Sequence, residues 1–414
     1  MGLLAFAYED LGRYDEAEQT NLEILDYFRN KNDTTTSQYW DVLSNLAGLY
    51  LKLGRYDEAE QRYNRIVHTD TTWRKINKFE LSVDLSNLGT LYYYTNRYEE
   101  AEKLHDKAIE IRREILDPDS PYLADCLNNQ GLVYKSQDKF AQAKELFLET
   151  KKIYESNKRA DDVKYIQCCA NLASLHDKLK EYEAAERLFK KVEEYNKNKF
   201  SINHPSYEES VYDLFAHYYR QKKYKKAWDY FNQSVDKTMD LIHKNFRYAT
   251  EKNKLYFLKK HKYKINRYYL FAYDYYDKIP ELTSYFYDIN IATKGIVITS
   301  QERALQEAKK DSATFHNWMN TKKQWMVYFQ NPKLAKKKRI NIDSLERAAN
   351  SLERELALNS SAFLRNYDTV NISWKDIREV LKPEEAAIEV VRFNLTIQGK
   401  DNSFYVALIV KHDT

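Results

Sequence analysis

Gly12-Arg13-Tyr14-Asp15-Glu16-Ala17-Glu18 recurs letter for letter as Gly54-Arg55-Tyr56-Asp57-Glu58-Ala59-Glu60, 42 positions further on. From this pair the pattern spreads along the chain. An aromatic stands at Tyr14, Tyr56, Tyr98, Phe140, Tyr182 and Tyr224, every step 42 residues long. Three positions after each comes an alanine: Ala17, Ala59, Ala101, Ala143, Ala185 and Ala227. Six matches at one fixed period identify an internal repeat.

The physics of one repeat follows from its residues. Leu43, Leu46, Ala47 and Tyr50 keep helical spacing, as do Leu85, Leu88, Gly89 and Tyr92, which predicts a first helix with one apolar face. Gly54, Asn96 and Asp138 sit at the break, where a residue tolerating left-handed φ ends a helix. The aromatic then opens a second helix, and the small alanine admits its neighbour closely. One such hairpin cannot bury its apolar face alone, so the repeats must stack. The expected fold is mostly α: a right-handed α-solenoid of helical hairpins over residues 3 to 236, with Tyr56, Ala59, Leu46 and Ala47 buried between hairpins. The first repeat holds little of its first helix, since Met1 falls near its middle, which suggests a fragment of a longer array. The sixth departs from the pattern, with Phe215 for the small residue and Lys222-Lys223 for the turn glycine, and reads as a closing repeat.

Bulk composition agrees with this class and narrows the chemistry. Only 8 glycines and 6 prolines occur in 414 residues, too few turn-formers for many sharp β-hairpins. With 66 basic and 62 acidic residues the net charge is +4, which argues against a dedicated nucleic-acid protein. A local patch remains open, because residues 244 to 268 carry nine Lys or Arg against Glu251 alone. Phe246, Tyr248, Tyr256, Phe257, Tyr263 and Tyr268 interleave with them. Such a stretch either makes weak contact with single-stranded RNA or is a solvated helix face with its aromatics inward. Cys126, Cys168 and Cys169 have neither disulfide nor metal-ligand spacing and read as small buried helix residues of a reducing cytoplasm. No apolar stretch suits a membrane span and no signal segment opens the chain. There is no glycine-rich phosphate loop and no His-Glu-x-x-His pair, so neither a cofactor nor a metal is expected. His176 and His217 read as packing residues.

These residues resemble the tetratricopeptide repeat, in the long 42-residue form of kinesin light chain. Asn128-Asn129 preceded by Asp117-Pro118, and His204-Pro205, look like that family's repeat boundaries. Asn45, Asn87, Asn129 and Asn171 share one first-helix position, with Asp213 in the sixth repeat. Stacked amides offer both a donor and an acceptor to an extended peptide backbone. A similar asparagine ladder lines the groove of the O-linked N-acetylglucosamine transferase superhelix, and the resemblance implies a concave peptide-binding groove here. The alternative is that each Asn ties its own helix to the next hairpin.

Beyond the array the texture changes. Residues 281 to 305, with Ile289, Ile291, Ile296 and Ile298, read as a densely apolar helix, and 342 to 358 as an amphipathic one. Lys336-Lys337-Lys338-Arg339 reads as a solvated loop after Pro332. Ser373 with Asp376 is a capping-box signature for a helix over Trp374 to Leu381. Ala387–Phe393 and Phe404–Val410 read as an antiparallel strand pair, separated by a polar loop containing Gly399-Lys400-Asp401-Asn402. The order of Tyr287-Asp288-Ile289 with Lys294-Gly295, Ser361-Ala362-Phe363, Trp374-Lys375-Asp376-Ile377 and the two strands resembles the entry to a CHAT domain, a caspase-like peptidase module that follows tetratricopeptide repeats in bacteria. The division expected is residues 1–236 as six repeats, 237–384 as a helical connector and 385–414 as the first two strands of a truncated α/β caspase-like domain. That family's catalytic histidine and cysteine lie beyond this point, so the chain itself is expected to hold no catalytic dyad. The implied role is the sensing and docking arm of a CHAT-family cysteine peptidase, against a stand-alone adaptor or an RNA-binding scaffold.

Overall fold

The computed structural model describes residues 2–10, 13–68, 77–159, 162–200, 202, 204–246, 251–290, 312–338, 340–359, 374–397 and 400–411. The chain divides into two bodies, Met1–Lys237 and Thr238–Thr414.

In the first body the repeats are helix pairs: α1 (Gly2–Asp10) with α2 (Tyr14–Asn30), α3 (Ser37–Leu53) with α4 (Tyr56–His68), α5 (Lys78–Tyr94) with α6 (Tyr98–Ile115), α7 (Pro121–Ser136) with α8 (Phe140–Ser156), α9 (Val163–Lys178) with α10 (Tyr182–Lys199), and α11 (Pro205–Arg220) with α12 (Tyr224–Phe246). Every second helix begins on the recurring aromatic. The alanine three residues later is wholly buried in all six repeats, as are Leu46 and Ala47. Tyr56 departs from expectation. It is only half-buried, because a ring on the first residue of a helix lies at the open end of the hairpin, and there it stacks on Tyr94 at 6.4 Å.

The turn inside each hairpin is one motif. Gly54, Asn96, Asp138, Lys180 and Lys222 all take left-handed φ, between 58° and 77°. The next amide closes back on the first helix, Arg55 N to Tyr50 O at 2.8 Å, and the same bond recurs from Arg13, Arg97, Lys139, Glu181 and Lys223. This 6→1 closure satisfies an orphan carbonyl at the helix end. The lysines of the sixth repeat therefore do not abandon the turn: Lys222 adopts the glycine conformation, and the closing bond from Lys223 offsets its steric cost.

A line of charge links successive repeats. Glu18 pairs with Arg55 at 2.7 Å, Glu60 with Arg97 at 2.6 Å and Glu102 with Lys139 at 2.9 Å, each across 37 residues. The basic member also lies over the ring at the end of the preceding first helix, Arg55 on Tyr50 at 4.1 Å, Arg97 on Tyr92 at 3.8 Å and Lys139 on Tyr134 at 5.2 Å. Burial alone would lower the Arg55 pKa, but the Glu18 carboxylate more than reverses that, so the guanidinium stays charged. The fourth rung is inverted. Lys144 donates to Glu181 at 3.2 Å, and the ring beside the turn becomes His176, which pairs with the same Glu181. Sign and neighbour have changed together.

The second body contains α13 (Glu251–Tyr275), α14 (282–290), α15 (Ser312–Gln330), α16 (Pro332–Lys338), α17 (Ile342–Asn359), α18 (Trp374–Val380), β1 (Ala386–Ile397) and β2 (Lys400–Lys411). Lys336–Lys338 are solvated as expected but helical, not loop. Pro332 starts this helix instead of ending one, because the first helical position needs no amide, and Asn331 caps it by accepting from Leu334 N at 3.3 Å. The strands pair antiparallel from Ala386↔Lys411 to Ile397↔Lys400. They outrun the apolar stretches because a ladder is made by backbone, so Asn394, Thr396, Lys400, Asp401 and Asn402 pair as well. Leu408 and Val410 are buried on one face, while Ile388, Val390 and Ile409 on the other are exposed. The backbone amide of Trp374 donates to Asp288 at 2.7 Å, fixing α18 to α14. Residues 291–311 and 360–373, with Lys294-Gly295 and Ser361-Ala362-Phe363, lie outside the described residues.

Candidate functional site

The five residues singled out in the first helices are all reachable from solvent. Asn45 is exposed, and Asn87, Asn129, Asn171 and Asp213 are half-buried. Their amides differ in commitment. Asn171 Nδ2 donates to Asn128 Oδ1 at 3.0 Å, tying α9 to α7 as the alternative reading required. Asn45, Asn87 and Asn129 make no hydrogen bond to protein among the described residues. Other polar pairs also join neighbouring first helices, Ser44 to Asp84 at 3.3 Å and Lys135 to Ser174 at 3.3 Å. Near Asp213, burial lowers the Lys135 amine to about 8, with Lys178 and Arg220 adding to the effect and Asp213 opposing it.

Asn87 and Asn129 are on the wall of an open cavity of about 330 Å³ between α5, α7 and α9. Phe79, Tyr122 and Tyr154 give it aromatic walls, and Ser86 and Asn128 add polar groups. Its carboxylate, Asp125, is already engaged, accepting from the Tyr154 hydroxyl at 2.7 Å and pairing with Lys164. Val83, Lys164 and Gln167 line it too, and so does Arg112 on α6, which is 4% exposed. Arg112 Nε donates to Ser82 Oγ at 3.0 Å, its Nη1 donates to the Tyr122 carbonyl, and Phe79 lies 5.7 Å from the guanidinium carbon. No carboxylate pairs with it among the described residues. The sequence reading missed Arg112. The signal available was its place in the frame, which Phe28, Tyr154 and Asn196 occupy in other repeats.

The groups considered for other chemistry are packed away. Cys126, Cys168 and Cys169 are fully buried, and burial raises all three thiols, which disfavours the thiolate a nucleophile needs. His217 is buried, its Nδ1 2.7 Å from Asp177, and burial drives its pKa down to about 4. His105 fills the slot held by Tyr63, Phe147 and Phe189 in other repeats, and it lies directly on Gly89, where a Cβ would come within 2.9 Å of the ring. Neither of its ring nitrogens finds a partner. Burial, with the Arg112 charge adding, lowers its pKa to about 3. In the basic stretch, Tyr268 is buried and Tyr263 exposed; the side chains of Phe246, Tyr248, Tyr256 and Phe257 lie outside the described residues. No helix among the described residues is long and apolar enough to cross a membrane.

Known proteins agree on the repeat. Residues 1–67 and 82–156 match one tetratricopeptide-repeat family model, and residues 166–206 match a second. Similar solved structures include BtubC (BKLC) from P. vanneervenii, 17% identical, covering 56% of this chain and 92% of that one with a TM-score of 0.43. Another is a putative kinesin light chain of nearly identical TPR-like repeats from Podosopora anserina, 17% identical, covering 48% and 94% with a TM-score of 0.38. The apo form of RapI is 16% identical and covers 64% and 96%, with a TM-score of 0.41. No curated protein matches the chain.

Proposed function

We propose that the tetratricopeptide repeats are a scaffold that binds an extended peptide along the first helices, with the asparagine ladder as its backbone reader. The observation that carries this reading is the state of Asn87 and Asn129: two in-register amides with no protein partner, facing an open cavity. A fold gains nothing from holding two such amides at a cavity wall, whereas a peptide backbone could use both of their donors and acceptors. The test is a mixture of nine-residue peptides read by fluorescence anisotropy. Asn87→Ala with Asn129→Ala should weaken binding by about 1–3 kcal/mol in all, the worth of two hydrogen bonds, and leave the melting temperature nearly unchanged. Loss of stability in step with binding would return the amides to a structural role.

The partner-binding array, on this reading, serves as the docking arm of a CHAT-type cysteine peptidase, with a cytoplasmic site of action. The strand pair and the Trp374–Val380 helix preceding it support this by their order. A reading frame continuing past Thr414 with a histidine and a cysteine on successive strands is what the proposal requires, and its absence would leave an adaptor.

A further inference from the structure

Resting on that groove reading, we infer that the cavity between α5 and α7 accepts the carboxylate of an acidic side chain in the bound peptide, with Arg112 as its counter-ion. A guanidinium taken out of water needs a compensating charge, since its desolvation is costly. Arg112 is nine-tenths buried and has none among the described residues, where its oxygen partners are a serine hydroxyl and a carbonyl. A guanidinium carries five N–H donors in a planar fork suited to a carboxylate, so donors remain over.

The repeat frame itself shows that the charge is surplus to the structural task. Two repeats on, Asn196 stands in the same slot, and its Nδ2 donates to the Ser206 carbonyl at 3.0 Å. Ser206 is the frame equivalent of Tyr122, so Asn196 makes the same tether to the next first helix. A neutral amide is enough there. What Arg112 adds is a positive charge and spare donors, and it adds them on the wall of the cavity beside Asn87 and Asn129, where the same slot one repeat on contributes only the ring and hydroxyl of Tyr154.

Three further observations define the ligand. Asp125 shares the cavity, and although Lys164 neutralises it, its carboxylate stands against a phosphate dianion more strongly than against a single-charged carboxylate. The ladder continues to both sides, to Asn45 and to Asn171, so the peptide runs through and the anion is an internal side chain, not a chain terminus. The aromatic walls of Phe79 and Tyr122 suit the methylenes of Glu or Asp.

The experiment uses the full chain and mixtures of nine-residue peptides, acetylated and amidated, with one position fixed as Glu, Asp, Gln, Asn or phosphoserine, and a matched set left with a free C-terminus. Anisotropy should show at one position a preference of tenfold or more for Glu or Asp over the amides. Arg112→Asn, which copies the Asn196 tether, should erase that preference and keep the weaker binding of the amide mixtures. Binding without an acidic preference, or a preference that survives in Arg112→Asn, overturns the inference and leaves the groove reading standing. No binding of any mixture to the wild type overturns the groove reading itself. Phosphoserine above Glu overturns the choice of carboxylate, and binding confined to peptides with a free C-terminus overturns the choice of a side chain. If Arg112→Asn does not fold, the Arg112 Nε–Hε resonance of the wild-type protein decides: it must shift with the Glu mixture and stay in place with the Gln mixture, and an unmoved resonance with Glu sinks the idea.

Discussion

Repeat three (α5–α6) and repeat five (α9–α10) occupy the same 42-residue frame and fill its polar slots differently. Both open the second helix with tyrosine and bury the alanine after it, Ala101 and Ala185. Both turn through left-handed φ, at Asn96 and at Lys180. Repeat three carries His105 where repeat five carries Phe189, and Arg112 where repeat five carries Asn196. The rung entering repeat three is Glu60 to Arg97, and the one entering repeat five runs from Lys144 to Glu181 with its signs exchanged. The solenoid thus needs a small residue, a left-handed turn and a filled core slot, and tolerates different residues in the other slots.

The largest effect should be the one the two repeats share. Ala101→Leu and Ala185→Leu are each expected to cost about 1–3 kcal/mol by overpacking, measured by urea unfolding, and tolerance at one site alone would show that the slot is not equivalent. His105→Phe brings the core residue of repeat five into repeat three, where Phe147 lying on Gly131 shows that a phenyl ring fits. Native His105 stays neutral down to about pH 3, whereas in the unfolded chain it binds a proton below about pH 6.5. The unfolded state therefore holds more protons, and stability falls as pH drops from about 6.5 toward 3. The variant should gain on the order of 2 kcal/mol at pH 5 over its effect at pH 8, and a pH-independent difference would refute the neutral buried imidazole.

At the turns the contrast is smaller. Lys180→Gly should gain about 1 kcal/mol, the excess of left-handed strain over glycine's chain entropy, while Asn96→Gly should gain less, since asparagine tolerates that conformation better. Equal gains would mean that the closing bond, not residue type, sets the turn's stability. The smallest effect belongs to the inverted rung. Lys144→Glu or Glu181→Lys alone should lower the melting temperature slightly, as exposed pairs do, and the double exchange should recover it. Failure to recover would tie the inversion to His176 rather than to the pair.

The array was legible because a period converts one environment into six observations. Alanines, aromatics and turn residues each face the same neighbours in every repeat, so chance is averaged out. The charge rungs were equally present in the sequence, but their members lie 37 residues apart and belong to different repeats, so only folding brings them into view. Arg112 stayed hidden for the opposite reason: its slot holds Phe28, Asp70, Tyr154 and Asn196 in other repeats, so no period marks it until its surroundings are known. The ladder positions were found from spacing alone, yet spacing could not tell that Asn171 is tied to Asn128. In the second body no period exists, and composition misjudged both the polar ends of the strands and the helix opened by Pro332.

The inverted rung also governs how such an array can change length. Losing repeat three as a block would set Glu60 opposite Lys139, an attractive pair, and the stack could close. Losing repeat four would set Glu102 against Glu181, and losing repeat five would set Lys144 against Lys223, each a meeting of like charges. Dropping four and five together restores opposite signs, Glu102 against Lys223. At these rungs, then, repeats before the inversion can be duplicated or deleted singly with signs still matched, whereas loss of the fourth or the fifth alone costs the small penalty of an exposed like-charged pair.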